Sequence, residues 1–416
     1  MDRVLDDLLH KRGSTREEAL SSIIDSFTVK CRSQIAGKNF ASLMYRCLNS
    51  FKKASSKEIV LASRVLGLLA ITIGCGDNAH ELYKESVPII SQTFSSRNET
   101  FLLSVIDCLS IITFVGGNDF EETEASMQIM WNFINSRPIE NVVERKHSDS
   151  ILSAAISAWS LLLTTVDGWN INHNRWRGAI RFFMDLLEVE DQSISMAALE
   201  ALALICEVGC LEKFDSDSSA DNTSFIDKEK NISNQCFCKH ELQQIVSNHA
   251  KRLVRLSALD SSATKILKMN FSWDVLKVLE EGRFHKTTLK IGKHSMQLHT
   301  LSQLLQVKFL KHYLEHGFIT HMLENEFLHD FSTSHPENKK QMLDCTLLKE
   351  KRLLSGFLCL NIDKVTLKMT RQCYYLVSFA VQRGNRPLDS ALRKAKTRLL
   401  NKQRMLKGKE LATFDD

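Results

Sequence analysis

An apolar helix pattern that recurs four times constrains the fold of this chain more than any other feature. The first copy, IVLASRVLGLLAITIGCGDN, is almost unbroken until it stops at glycine. The copies span residues 59–78, 101–119, 151–170 and 195–213. Their terminal glycines, spaced 41, 51 and 41 residues apart, are Gly76, Gly117, Gly168 and Gly209. Periods near 40 residues are typical of armadillo and HEAT repeats.

Each copy is too apolar to be a lone surface helix, so it must be covered by neighbouring helices. In a solenoid such a helix packs against the copies before and after it, which makes one continuous core. More amphipathic stretches at 79–93, 121–135 and 174–187 predict the outer helices of the repeats. The predicted fold is therefore all-α, an armadillo- or HEAT-like helical-repeat solenoid.

The rest of the chain divides by composition. The predicted regions are N-terminal repeats over 1–213, a disordered linker over 214–238, a helical continuation over 239–331, an irregular stretch over 332–385 and a basic C-terminal helix or tail over 386–416. Within the continuation, TTLKIGKHSMQL alternates around Gly292, which predicts a β-hairpin near 287–298. A strong helical pattern follows it and ends at Gly317.

The composition and the N-terminal residues exclude several classes. The first residues, MDRVLDDLLHKRGS, are charged throughout and do not resemble a signal peptide. Arg64, Asp107 and Glu200 interrupt the apolar runs before they reach the length of a membrane span. We therefore expect a soluble protein of the cytoplasm, the nucleus or both, with no membrane partner. The cysteines of the apolar helices are expected to be buried free thiols.

Positive charge is concentrated near the C-terminus. Residues 383–409 hold ten Lys or Arg and one acid, a net charge of +9, against +5 for the whole chain, so the remainder carries −4 (5 − 9). Clustered cations bind phosphates without needing a sequence code. The candidate nucleic-acid-binding residues are Arg393, Lys394, Lys396, Arg398, Lys402, Arg404 and Lys407. A nuclear-import signal or a solvated basic tail is the alternative.

No motif predicts catalysis, a cofactor or a small-molecule substrate. The glycine pairs Gly74/Gly76 and Gly116/Gly117 follow helices rather than strands, so they are interpreted as helix C-caps and not phosphate loops. His312 and His316 lie four residues apart, as metal ligands on a helix can, and Cys236, Cys238 and His240 are also closely spaced. Neither set has the further ligands that zinc requires, so no metal site is predicted.

Six stretches of the sequence resemble the interferon-related developmental regulator family, particularly its plant members. They are KRGSTREEAL (11–20), GCGDNAHELY (74–83), FVGGNDFEETEASMQIMW (114–131), TTLKIG (287–292), FLKHYLEHGFITHMLENEFLHDF (309–331) and the basic KAKTRLLNKQRML (394–406). No single stretch is diagnostic, but their order and spacing follow the family.

This resemblance implies an armadillo-like fold without catalytic activity and a role in controlling gene expression. Members of the family include transcriptional co-regulators and a factor that occupies inactive ribosomes, where a basic C-terminal helix enters a space lined by RNA. Two hypotheses follow. The chain binds ribosomes or RNA through its basic C-terminal helix and proteins through its solenoid, or it is a nuclear co-regulator that acts as a protein adaptor.

Overall fold

The computed structural model describes residues 2–94, 99–135, 149–166, 173–208, 239–257, 287–292 and 294–328. This part of the chain contains thirteen α-helices and one pair of strands. In chain order they are α1 (Asp2–Asp7), α2 (Gly13–Val29), α3 (Ser33–Lys53), α4 (Ser56–Ile73), α5 (Asp77–Phe94), α6 (Glu99–Gly116), α7 (Phe120–Asn135), α8 (Asp149–Leu163), α9 (His173–Leu187), α10 (Gln192–Glu207), α11 (Lys239–Ser257), β1 (Thr287–Ile291), β2 (His294–Leu298), α12 (Leu301–Leu314) and α13 (Phe318–Glu324).

The helices form two rows. Helices α2, α4, α6, α8 and α10 pack side by side in that order, and we call them the core row. Helices α3, α5, α7 and α9, the outer row, each pack onto the core-row helix that follows them. Almost every side chain in the second half of α4, α6 and α10 is buried. The prediction that the apolar copies are stacked and covered is confirmed, and the fold is an armadillo-like helical-repeat solenoid.

Local polar contacts set the ends of the core-row helices. The Ser55 hydroxyl accepts a hydrogen bond from the Glu58 amide at the start of α4, and the Asp191 carboxylate accepts two amides at the start of α10. Gly74 ends α4 with a φ of 67°, as predicted for a C-cap. Gly116 has a different role, because it lies within α6 and a Cβ there would be 2.2 Å from the Ala79 carbonyl oxygen.

Aromatic rings join the two rows where α7, α8 and α9 meet. Trp159 of the core row is buried, and its ring centroid is 5.1 Å from that of Phe183. Trp131 of the outer row lies edge-on to Phe182 and Phe183, with centroids 5.5 and 5.8 Å away. Such pairs add to the free energy gained from buried area. Trp159 therefore fills the core at a junction between repeats.

The predicted hairpin is present and introduces a segment that leaves the two-row pattern. Strands β1 and β2 are antiparallel, and Gly292 lies in the turn between them with a φ of 59°. Helix α12, a 3₁₀ turn (Glu315–Gly317) and α13 follow, together with a last turn at residues 326–328. We call residues 301–328 the strap. It does not add another helix pair to the stack but lies across the core row.

Although Asp107 interrupts its apolar run, helix α6 is still long and apolar enough to cross a membrane, judged by length and composition alone. In the structure 72% of this apolar stretch, Glu99–Gly116, is buried, and the helix packs between α4, α5 and α8. Helix α6 belongs to the core row, and packing against its neighbours accounts for its apolar surface.

Candidate functional site

The face of the core row that the strap covers brings together residues from the most distant parts of the sequence. The first contact is with the end of α10, where the Glu207 carboxylate accepts hydrogen bonds from the Leu301 amide, the Ser302 amide and the Ser302 hydroxyl at 2.6 to 2.8 Å. A carboxylate is stabilised at a helix N-terminus, where amides lack intrahelical partners. Burial nevertheless raises the pKa of Glu207. Glu207 thus acts as a cap that α10 supplies to α12.

The next contacts are polar pairs that join α12 to Thr164, just after the end of α8, and to Glu200 of α10. The Gln306 side-chain amide donates to the Thr164 hydroxyl at 2.9 Å, and both groups are buried. The Lys308 ammonium pairs with the Glu200 carboxylate, which is itself buried inside the row. A buried carboxylate is costly unless it has a partner, so this pair fixes where α12 lies over α10.

Tyr313 fits into a notch that a glycine leaves in α4. A Cβ on Gly67 would be 2.0 Å from the Tyr313 hydroxyl oxygen and 2.9 Å from its Cζ. The hydroxyl donates to the Arg64 carbonyl oxygen at 3.2 Å, and the Arg64 guanidinium carbon lies 4.2 Å from the centroid of the same ring. Burial raises the pKa of Tyr313, so the phenol stays protonated and available as a donor.

Charged groups surround the notch where α4, α6 and the strap meet. The pKa of Asp107 on α6 is raised to about 6 because burial disfavours the carboxylate, although His312 and Arg64 oppose the shift. Arg64 also reaches Glu315, with Nη2 and Oε1 3.5 Å apart. Glu315 has a φ of 49°, a left-handed conformation unusual for a residue other than glycine, at the turn between α12 and α13.

The last part of the strap contacts the ends of α2 and α4. His321 is fully buried, and its Nε2 lies 2.7 Å from the Phe27 carbonyl oxygen. The Asn325 side-chain amide donates to the Ile71 carbonyl oxygen at 2.8 Å. Both acceptors are in the final turn of a helix, where carbonyls lack intrahelical donors. Phe327 then packs on Gly74. The strap therefore runs from α10 to α2 and turns back, against the order of the repeats.

Within the described residues there is no group of three or more His, Cys, Asp or Glu side chains that could hold a metal ion. Burial raises the pKa of Cys47 to about 12 and raises that of Cys108 as well, so both thiols stay protonated and unreactive. His312 of α12 and His316 of the 3₁₀ turn that follows it are both exposed.

All seven candidate nucleic-acid-binding residues lie outside the described residues, as do Cys236 and Cys238. The structure brings together a different set, which includes Gly67, Tyr313 and His321. The sequence predicts the helix that carries Tyr313 but not where it packs. A weak signal is present in the sequence, because the stretches 74–83 and 309–331 both resemble the same family, and the contact of Phe327 with Gly74 brings them together.

A family model for the interferon-related developmental regulators matches residues 1–265. That is more than half of the chain. This chain belongs to the interferon-related developmental regulator family. The strap lies beyond the matched residues, after the hairpin, and the core-row helices on which it packs all lie inside them. The resemblance seen in the sequence is confirmed at the level of the family.

Individual relatives are distant. The chain is 26% identical to interferon-related developmental regulator 2 of Mus musculus over 211 residues. The aligned region covers 49% of this chain and 47% of that protein. The chain is 22% identical to interferon-related developmental regulator 1 of Homo sapiens over 307 residues. The aligned region covers 71% of this chain and 62% of that protein. The chain thus spans less than two thirds of the length of either relative.

Among solved structures, designed armadillo repeat proteins are similar to this family member. One aligns with a TM-score of 0.43 and 12% identity over 66% of this chain and 98% of its own. Another, solved in complex with the peptide (KR)4, aligns with a TM-score of 0.41 and 11% identity over 66% of this chain and 98% of its own.

Proposed function

We propose that this protein is a non-enzymatic regulator of gene expression. In this proposal the solenoid binds proteins, and the basic C-terminal segment binds ribosomes or RNA. Membership of the family supports the regulatory role. The concentration of charge supports the second contact, because residues 383–409 carry +9 while the rest of the chain carries −4 (5 − 9). Such a segment binds phosphates by releasing counterions.

A second candidate function rests on the same charge. A short run of Lys and Arg also serves as a nuclear-import signal. The protein would then act in the nucleus as a transcriptional co-regulator, with the solenoid as a protein–protein adaptor. The two functions differ in what the basic segment contacts. Ribosome binding requires the segment and weakens steeply with salt, whereas an adaptor keeps its protein partners when the segment is removed.

Sucrose-gradient co-sedimentation with purified ribosomes tests the first function. The intact chain is compared with a chain that ends at Gln382, in low and moderate salt. We expect the intact chain to travel with ribosomes and the shortened chain to stay at the top. If the seven candidate residues each neutralise one phosphate, affinity falls on the order of 10³-fold between 50 and 200 mM salt.

A pair of full-length variants separates the position of the charge from its amount. In the first variant the seven candidate residues become Gln. In the second, seven exposed cations of the solenoid, hairpin and strap become Gln, namely Arg3, Lys30, Lys38, Lys52, Lys84, Lys290 and Lys311. Only the first variant should lose its binding to ribosomes. If the intact chain fails to sediment even in low salt, the nuclear adaptor replaces the ribosome-binding function.

A further inference from the structure

The core row is not fully covered at the beginning of three of its helices. Among the second to ninth residues of α4, α6 and α8, the second, fifth, sixth and ninth are not buried, and the others are. All later residues of α6 and α8, and all but Ile73 of α4, are buried. The same four positions are therefore open in three neighbouring helices. We call these residues the open strip: Lys57, Val60, Leu61 and Arg64 of α4, Thr100, Leu103, Ser104 and Asp107 of α6, and Ser150, Ser153, Ala154 and Ser157 of α8.

The open strip continues the face of the core row that the strap covers. Residues three and four apart on a helix lie on the same side, so Val60, Arg64 and Gly67 of α4 are in line. The strap covers this line from Arg64 onward, because Tyr313 packs on Gly67 and its hydroxyl donates to the Arg64 carbonyl oxygen. Helices α4, α6 and α8 pack side by side, and α12 packs on α8. The open positions therefore form one surface, with the strap as its border.

The dimensions of the open strip suit an extended peptide. Packed helices lie about 8 to 10 Å apart, so three of them span roughly 20 Å. The second to ninth positions of a helix cover about 10 Å along its axis. A peptide of about six extended residues therefore crosses the strip. On α8 the strip consists of Ser and Ala side chains alone, which leave room for the main chain of a partner.

The charges of the open strip favour a cationic partner. The Lys57 ammonium lies 3.1 Å from the Glu17 carboxylate, and Arg64 pairs with Glu315. Asp107 is the one acid of the strip, and it makes no hydrogen bond or ion pair with any residue that the structure describes. A partly buried carboxylate without a donor is unfavourable. The cations of the strip thus have partners already, whereas its anion lacks one.

An apolar contact is available beside Asp107. Leu103 lies one turn earlier on α6, and its side chain is 41% exposed. It is one of four large apolar side chains that are exposed among the described residues. Val60 and Leu61 of the adjacent helix α4 are also partly accessible, while they pack against the core. The strip therefore offers an apolar side chain and an unpaired carboxylate next to each other.

We propose that the open strip binds an extended peptide of a partner protein, with a Lys or Arg side chain paired to Asp107 and a neighbouring apolar side chain on Leu103. The strap stays in place and forms one wall of the site. Nucleic acids and acidic segments lack the cation that the Asp107 carboxylate requires. Hydroxyl side chains of α6 and α8 can donate to and accept from the main chain of the peptide.

This inference rests on the protein-binding part of the proposed function and specifies the class of partner. The basic C-terminal segment takes no part in it. Peptide binding and co-sedimentation with ribosomes can therefore fail independently, and each failure points to a different part of the chain.

The probe is a phage library that displays short peptides of random sequence. The library is first depleted on a full-length variant with Leu103→Ser and Asp107→Asn, and it is then selected on the unchanged full chain. Because the variant retains the basic segment, depletion removes peptides that bind outside the strip. Both substitutions are at positions that are not fully buried, and circular dichroism verifies that the variant is folded.

We expect the selected peptides to share a Lys or Arg beside an apolar residue. One of them is synthesised with a fluorophore, and its binding is measured by anisotropy. Replacing its cation with Gln, or Asp107 with Asn, should weaken binding about tenfold, because one charge-assisted hydrogen bond is lost. The two changes together should weaken binding no more than either alone, since they remove the same pair. Asp25→Asn, at an exposed acid of α2, is the matched control and should bind like the unchanged chain.

Three results would overturn the inference. In the first, the selection yields no shared sequence. In the second, Asp107→Asn weakens binding no more than Asp25→Asn, or its effect adds to that of the peptide substitution, so the cation does not contact Asp107. In the third, a chain that ends at Gln382 binds the peptide at least about tenfold more tightly than the intact chain, which makes the basic segment of the chain itself the occupant of the strip.

Discussion

At the scale of single residues, the contact of Tyr313 with Gly67 determines whether the strap can lie against α4. Replacing Gly67 with Ala would normally stabilise a helix by up to about 1 kcal/mol. Here the added Cβ would be 2.0 Å from the Tyr313 hydroxyl, so the ring must move and lose its packing. We expect Gly67→Ala to lower the free energy of unfolding by about 1 to 3 kcal/mol, measured by urea denaturation.

A matched control is available in the outer row. A Cβ on Gly37 of α3 would meet nothing within 4 Å, so Gly37→Ala should leave stability unchanged or raise it slightly. Adding Tyr313→Phe to Gly67→Ala removes the closest atom and should recover part of the loss. Equal effects of the two alanines would show that the strap does not use the Gly67 notch.

Asp107 is a second residue whose effect on stability follows from its surroundings. Its folded pKa of about 6 lies above the ordinary 3.8, so the folded state prefers the protonated carboxyl. Stability contributed by this group therefore increases as pH falls from 7 towards 4. An asparagine side chain is uncharged and similar in shape to a protonated aspartic acid, so Asp107→Asn imitates the form that the folded state prefers. We expect Asp107→Asn to raise the free energy of unfolding at pH 7.5 by about 1 to 3 kcal/mol and to have little effect near pH 4.

Chemical denaturation of both proteins between pH 4 and 8 measures this difference. Glu85, an exposed carboxylate of the outer row, provides the control as Glu85→Gln. That change should give a small difference that does not vary with pH in the same way. A stabilisation by Asp107→Asn that is the same at pH 4 and pH 7.5 would contradict the raised pKa.

At the scale of an element, α13 should be the part of the strap most sensitive to acid. Burial lowers the pKa of His321 below its usual 6.5, and its Nδ1 is buried without a hydrogen-bond partner in the described structure. Above pH 6.5 the His321 imidazole is neutral both when α13 is docked on the core row and when it is open. As pH falls below that value, the open state takes up a proton that the docked state resists, so docking weakens.

Hydrogen exchange over residues 318–328 at pH 7.5 and pH 5.5, corrected for the intrinsic rate, tests this. Protection in α13 should fall in acid, while protection in α12 should fall less. His321→Gln keeps a donor for the Phe27 carbonyl and should abolish the difference, whereas His316→Gln, on an exposed residue, should not. Acid lability that survives His321→Gln would have to come from another group.

At the scale of the whole molecule, the strap completes the core of the solenoid. A chain that ends at Ser257 lacks it and would expose the apolar face of α4, α6, α8 and α10. Large exposed apolar patches lead to association. We expect this chain to bind a hydrophobic dye and to self-associate by light scattering, whereas a chain ending at Leu328 should do neither. A monomeric, dye-free chain ending at Ser257 would show that the core row is stable uncovered.

Much of the architecture could be predicted from the sequence because helices and turns are specified locally. The sequence predicts outer helices at 79–93, 121–135 and 174–187, and the structure places them at Asp77–Phe94, Phe120–Asn135 and His173–Leu187. Alternation around Gly292 predicts the hairpin, which is present. Repeated apolar stripes with glycine stops leave few alternatives to stacked helices. The stacking itself therefore follows from the sequence.

What covers the stack was decided only by the tertiary structure. Tyr313 and Arg64 are 249 residues apart, and no local pattern states that one will pack on the other. Gly116 shows the same limit of local patterns. In the sequence it suggests a helix cap, whereas in the structure it allows α6 to approach the Ala79 carbonyl group closely. Local periodicity determines which face of a helix must be buried. Which partner buries it depends on shape and polar pairing across the folded chain, and those exist only once the fold has formed.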